Sequence, residues 1–313
     1  MKLNPIMDLT PSKEVEIFST GFQRLDHLIG GLRTGQLCTI AAPFWMDSTA
    51  FAVSLLRNIG VVQKVPTAYF SLELTESEIM RRLKASITGS WRTVPAPSEE
   101  VMNVMKEIGF HHRNAEQEAI QRIEEAPIWI EDDFEADIDE IVGRMEQLRQ
   151  ENQVRFVIID SISLLMFGCN HVEQTQAIKK LHQTADRLKQ AVILTSVVNL
   201  SQEVSGKCKR PRLSDLCNWE RIGSFSSIVM FVHRPEYYYF EIFEDDCCFP
   251  VFEMTENGTT HLYRICDTFE DDTTAIDMAD IMVEKNSFGS TGIVRMHFDN
   301  HAGFRIISPN LSS

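Results

Sequence analysis

Nothing in these 313 residues supplies a long apolar run: no stretch approaches the roughly 18 to 20 uninterrupted hydrophobic residues that a membrane span requires. The opening residues Met1 to Asp8 hold no signal-peptide core, so the chain is read as cytoplasmic and without a membrane partner. Glycine and proline are sparse, 15 and 11 residues, and apolar side chains run the whole length, which excludes fibrous and disordered classes. The seven cysteines are odd in number, scattered and without a CxxC pair; they read as reduced thiols rather than a disulfide framework or zinc site. Basic charge is also short, with 30 Lys and Arg against 45 Asp and Glu, a net of −15. Between residues 239 and 280 twelve acids face the single Arg264, and a segment of that sign repels a phosphate backbone. Contacts with nucleic acid therefore belong elsewhere.

What is present is an alternation of apolar strands and helices. Residues 1–15 read as a polar tail and 16–313 as one domain. Phe22, Leu25, Leu28 and Ile29 are spaced for a helix that Gly30-Gly31 ends. The runs Leu37–Ala42, Thr67–Leu72, Ile128–Ile130, Val154–Asp160, Ala191–Ser196 and Ser227–Val232 predict strands. Helices are expected at Thr49–Ile59, after the Thr75/Glu78 capping box, within 90–125, and over about 137–150 and 173–190. Solidly apolar strands separated by helices predict an α/β fold, a mainly parallel sheet covered on both faces. Residues 239–280 break the rhythm as an acidic, aromatic insertion of hairpin character, and Ile281–Val283 with Ile293–Phe298 read as a closing antiparallel hairpin.

The turn after the first apolar strand is the natural place for a phosphate, because backbone N–H groups and a helix N-terminus meet there. A working phosphate loop reads G-x-x-x-x-G-K-[ST]. Here the eight positions are Ala42, Pro43, Phe44, Trp45, Met46, Asp47, Ser48 and Thr49, without either glycine or the lysine. Phe44, Trp45 and Met46 either fill the vacant cradle or pack on neighbouring helices.

Along the chain, in order, stand Ser19-Thr-Gly-Phe-Gln-Arg-Leu-Asp26, Gly30-Gly-Leu-Arg-Thr-Gly-Gln-Leu37, Thr49-Ala-Phe-Ala52 and Phe70-Ser-Leu-Glu-Leu74. Pro127–Asp132, Val157-Ile-Ile-Asp160, Lys209–Leu216, Glu236-Tyr-Tyr238 and Gly289-Ser-Thr-Gly292 follow, so that the run covers roughly residues 16–306. This order of motifs resembles the RecA-type motor domain of the DnaB family of replicative helicases, with its P-loop NTPase fold. The family's N-terminal domain is not among the matched segments, so a chain truncated to the motor is expected. The resemblance implies ATP and Mg2+ as cofactors, Glu73 as the catalytic glutamate that polarises water, and Asp160 and Thr49 as the magnesium ligands. It also implies a homo-oligomer, hexameric in the family, or docking on a helicase or other replication partner. The departures fall on the phosphate side. Ser48 replaces the P-loop lysine, Asp47 its glycine and Val197 the glutamine that senses the γ-phosphate. At the trans-subunit interface Lys285 keeps a basic position, while Ser287 takes the place of the arginine finger. An arginine finger alone is worth about 10³ to 10⁵ in rate, so turnover at a motor's speed is not expected. Glu73 and Asp160 are then either retained chemistry or relics held by local hydrogen bonds.

Single-stranded DNA in the family contacts loops that match roughly 167–173 and 202–212 here. Lys207, Lys209, Arg210 and Arg212 form a basic cluster in the second, either phosphate-contacting or a solvated loop. His111-His112 point about 100° apart on a helix and read as surface residues, and Tyr237–Phe240 as packing rather than base stacking. The resulting expectation is a replication-associated DnaB-like subunit, defective in ATP hydrolysis and oligomerising or acting as a scaffold. Two alternatives stand beside it: an active 5′–3′ helicase ATPase that borrows Lys285 of a neighbour, and a nucleotide-independent single-stranded DNA-binding module.

Overall fold

A computed structural model describes residues 15–43, 46–88, 112–133, 135–198, 210–234, 251–256, 259–264, 278–299 and 303–305. The chain begins with β1 (Ile17–Phe18), α1 (Gln23–Ile29), β2 (Leu32–Arg33) and β3 (Leu37–Ala42). Gly30 ends α1 at φ 72°, the left-handed conformation that costs glycine little. After β3 come α2 (Ser48–Leu55), β4 (Thr67–Ser71), α3 (Glu76–Thr88) and α4 (His112–Glu124). β5 (Ile128–Glu131), α5 (Ile138–Asn152), β6 (Phe156–Asp160), α6 (Ile162–Leu165), α7 (His171–Leu188) and β7 (Ala191–Val197) continue the alternation. It closes with α8 (Trp219–Phe225) and β8 (Ser226–His233), followed by β9 (Val251–Glu256), β10 (Thr259–Arg264), β11 (Met278–Asn286), β12 (Gly292–Asp299) and β13 (Gly303–Arg305).

Nine strands make one sheet in the order β13-β12-β11-β8-β3-β7-β6-β4-β5. β8, β3, β7, β6, β4 and β5 run parallel, and β11 to β13 extend the β8 edge antiparallel. Alternate residues of each buried strand feed two cores. Ile40, Tyr69, Phe156 and Ile158 pack with α1, α2 and α3, whereas Leu37, Phe70, Val157 and Ile159 pack with α5, α7 and α8. Because both faces are covered, the parallel strands are apolar throughout, the pattern read from the sequence.

Four expectations need adjustment. The helix expected to run through Ile59 keeps α-geometry only to Leu55, and Leu56–Val62 is wound as a π-helix. There Gly60 lies so close to the sheet that a Cβ would sit 2.6 Å from the Ile128 side chain. The helix expected from about Glu173 starts at His171, because Asn170 caps it and the Glu173 side chain returns the bond to the Asn170 amide. The acidic insertion is shorter than 239–280: Met278 to Asp280 are the first residues of β11, and Asp280 is fully buried. Its hairpin character is confined, among the described residues, to β9 and β10, which pair only with each other. Finally, β13 adds an edge strand to the closing hairpin that the sequence does not announce.

Candidate functional site

The ends of β3, β4, β6 and β7 lie side by side, and in an open parallel sheet the crevice beyond such carboxyl ends is where ligands bind. Asp160, the last residue of β6, is 1% exposed. A charge so deeply buried needs partners. Tyr69 on β4 donates its hydroxyl to Asp160 Oδ2 at 2.6 Å and Thr195 on β7 donates to Oδ1, while the Thr49 hydroxyl on α2 also favours the charged form. Burial pushes the Asp160 carboxyl above its ordinary range, against the pull of the Thr195, Tyr69 and Thr49 hydroxyls. The same burial, reinforced by Asp160, holds the Tyr69 phenol well above its usual value.

Glu73 sits on the short turn between β4 and α3, which Ser71 braces by donating to the Leu74 carbonyl at 2.5 Å. Its side chain is exposed. Partial desolvation and the Asp160 charge raise its carboxyl, and Arg82 opposes them. Glu73 and Asp160 therefore share one electrostatic neighbourhood.

The turn after β3 is anchored rather than open. Pro43 is buried, and its carbonyl accepts from the Met46 amide at 2.9 Å. Met46 is 0% exposed, and the Arg234 amide at the end of β8 donates to its sulfur. Its burial is compatible with either placement left open for Met46; Phe44 and Trp45 lie outside the described residues. Asp47 has φ 60° and ψ 63°, a left-handed conformation at the position where glycine belongs. Its Oδ1 accepts from the Ala50 amide at 2.9 Å, so Asp47 caps α2. Nη1 of Arg82 on α3 lies 3.0 and 3.1 Å from its two oxygens. The pair is about 30% exposed on each side, and one shared nitrogen is not a fork, so it is worth about 1 kcal/mol. Ser48 and Thr49 follow in the first turn of α2.

Arg82 adds to the phosphate side a cation that the sequence motifs do not single out. It follows Ile79 by three residues and so shares the inward stripe of α3, a signal that helical spacing carries. Tyr69 and Thr195 are also unforeseen, because only strand register sets their hydroxyls beside Asp160.

The other expected residues disperse. Lys285 pairs with Val229, the neighbour of Thr39, on the half of the sheet away from the turn. Its Nζ donates to the Gly223 carbonyl at 2.7 Å, and desolvation lowers its pKa. Ser287 is exposed, with its amide on the Ser227 carbonyl at 2.9 Å. Val197 is half-buried, its amide on Ser163 Oγ at 3.2 Å. Of the basic cluster, Lys207 and Lys209 lie outside the described residues and Arg212 is exposed. Arg210 reaches Asp280 at 3.7 Å, beside the closer Arg295 at 2.8 Å, which ties Arg210 to the sheet instead of presenting it to solvent alone. His111 and Tyr237–Phe240 also fall outside the described residues, and His112 opens α4. Among the described residues no group of three His, Cys, Asp or Glu side chains could hold a metal, and no helix is long and apolar enough to cross a membrane.

Tested against ATP and Mg2+, the two halves of the site differ. The Thr49 hydroxyl in the neighbourhood of Asp160 fits a metal-facing pair. The phosphate half does not fit as it stands, because a carboxylate occupies the amide and the guanidinium that a phosphate would use.

A family model described as the DnaB-like helicase C-terminal domain matches residues 18–304. The replicative DNA helicase DnaB of Buchnera aphidicola subsp. Baizongia pistaciae is 26% identical over 239 residues, 74% of this chain and 49% of its own. That of Leifsonia xyli subsp. xyli is 29% identical over 225 residues, 70% and 47% respectively. The chain thus spans about half the length of these relatives. Among solved structures, one described as an ATPase domain superposes with a TM-score of 0.70 at 20% identity, covering 96% of this chain and 94% of that one. A DnaB-like replicative helicase, described together with its interactions with primase, gives 0.71 at 21% identity over 96% and 64%. At such identities the superpositions speak for the fold.

Proposed function

The chain belongs to the DnaB-like helicase C-terminal domain family, and from that premise we propose that it serves DNA replication as a RecA-like subunit defective in ATP hydrolysis, oligomerising or acting as a scaffold for a helicase. The observation that carries the reading is the Asp47 carboxylate on the Ala50 amide, an anion of the protein's own where a phosphate oxygen would sit. Phosphoryl transfer depends on positioning and on charge stabilisation. Ser48 offers no charge, and the Lys285 ammonium is engaged by the Gly223 carbonyl of its own chain. We read Asp160, Thr49 and Glu73 as the remnant of a motor's metal-facing half, which weighs against a nucleotide-independent single-stranded DNA-binding module. Single-stranded DNA remains a proposed ligand of the loops after β6 and β7, where Phe167 is 87% exposed and Arg212 is exposed.

Magnesium-dependent ATPase, measured with and without single-stranded DNA, tests this. No turnover above background is expected. Turnover near one per second that Glu73→Gln abolishes would overturn it and favour a working helicase.

A further inference from the structure

The phosphate half of the site is not merely short of donors. Two donors are present, the Ala50 amide at the start of α2 and the Arg82 guanidinium from α3, and both end on Asp47. A helix-terminal amide and a guanidinium are what an oxyanion of phosphate recruits, and a carboxylate offers the same two oxygens at smaller charge. Resting on the reading of this turn as the family's phosphate position, we propose that Asp47 is an internal lock. Its carboxylate stands in for the phosphate of a nucleoside polyphosphate, holding both donors closed.

Three observations support the lock over a simple helix cap. A cap needs only the Ala50 amide, yet Asp47 also draws in an arginine from a different helix, 35 residues on. The backbone at Asp47 is left-handed, which glycine adopts at least cost, so the carboxylate is held there against a local preference. Arg82 also carries the positive charge that lowers Glu73 and the Tyr69 phenol, while Asp47 and Asp160 raise both. The lock therefore neutralises the cation that, among the described residues, is set among three carboxylates, and a triphosphate entering the closed site meets net negative charge. With Asp47 gone, Arg82 and the amide face the crevice.

Asp47→Gly suits the backbone and removes the carboxylate, whereas Asp47→Asn removes the charge and keeps a cap. Calorimetric titration of the full chain with inorganic pyrophosphate, with circular dichroism to verify folding, reads the outcome. Asp47→Gly is expected to bind pyrophosphate at least tenfold tighter than the unaltered chain, Asp47→Asn at least threefold tighter. Asp47→Gly combined with Arg82→Gln is expected to return to within threefold of the unaltered chain. A purely structural cap would lower stability and leave pyrophosphate affinity unmoved. Folded variants that bind no tighter, or a gain that survives Arg82→Gln, would overturn the lock. ATP turnover by the unaltered chain would sink the hydrolysis reading instead, while the pyrophosphate comparison would still decide whether Asp47 closes the site.

Discussion

At the level of single residues, Asp160 carries the heaviest electrostatic load, a carboxylate out of water with three hydroxyls turned towards it. Hydrogen bonds to a charged group contribute about 1.5–3 kcal/mol each. Tyr69→Phe keeps the ring that packs with Phe156 and Ile158 and removes one such bond. Urea unfolding should then show a lower midpoint with an unchanged slope, a loss of about 2 kcal/mol. Losing a donor also pushes the Asp160 carboxyl further up, so the penalty should be largest at neutral pH and shrink as acid protonates the carboxyl; a penalty that stays constant down the whole acid limb would exclude an ionised Asp160 as the acceptor. How legible this site is in the sequence depends on what brings its parts together. Glu73 and Asp160 stand at strand ends and can be picked out by position. The hydroxyls of Tyr69 and Thr195 meet Asp160 only because β4, β6 and β7 pair in one register, which composition and spacing do not encode. Arg82 lies between these cases, visible on the inward stripe of α3 but without a marked partner until Asp47 is seen capping α2.

Elements follow from the sequence more readily. Buried parallel strands read as solid apolar runs, so β3, β4, β6 and β7 are placed to within about two residues by hydrophobicity alone. Caps are equally local, as Thr75 with Glu78 shows before α3. The π-helix after α2 is not legible, because its cause is tertiary: the close approach of Gly60 to Ile128. The pairing of β8 with β11 is likewise non-local, and it sets the fully buried His233 opposite the equally buried Asp280. Desolvation, aided by Arg210 and Arg295 and opposed by Asp280, pushes the His233 pKa down to about 4. The unfolded chain then binds the extra proton between that value and the ordinary histidine pKa near 6.5. Stability should be constant in this respect above pH 6.5 and fall as acid is added, by about 3 kcal/mol down to pH 4. Denaturation midpoints across that range in the unaltered chain and in His233→Gln would check it, since the variant should lose that part of the slope.

For the molecule as a whole, the uneven charge is the property that most separates sheet from excursion. β8 ends at His233 and β11 begins at Met278, and the pairing of His233 with Asp280 brings the two ends of the intervening stretch together in the sheet. Among the described residues, the hairpin of β9 and β10 makes its ladder only with itself. Over 239–277 eleven acids face Arg264, so this stretch holds ten of the chain's fifteen net negative charges. Within the run of acids, Asp280 is a sheet residue bound by Arg295 at 2.8 Å. Replacing 239–277 by a six-residue Gly/Ser linker should therefore preserve the fold. Loop closure costs about 0.6 kcal/mol per doubling of length, which puts the gain from shortening at about 1.5 kcal/mol. A thermal midpoint that stays level or rises would agree; a collapse of the transition would show that the excursion is part of the core. The same variant tests the electrostatic side, because most of the charge that repels a phosphate backbone goes with the segment. Its affinity for single-stranded DNA should rise at low salt, and the difference from the unaltered chain should shrink as salt screens the acids.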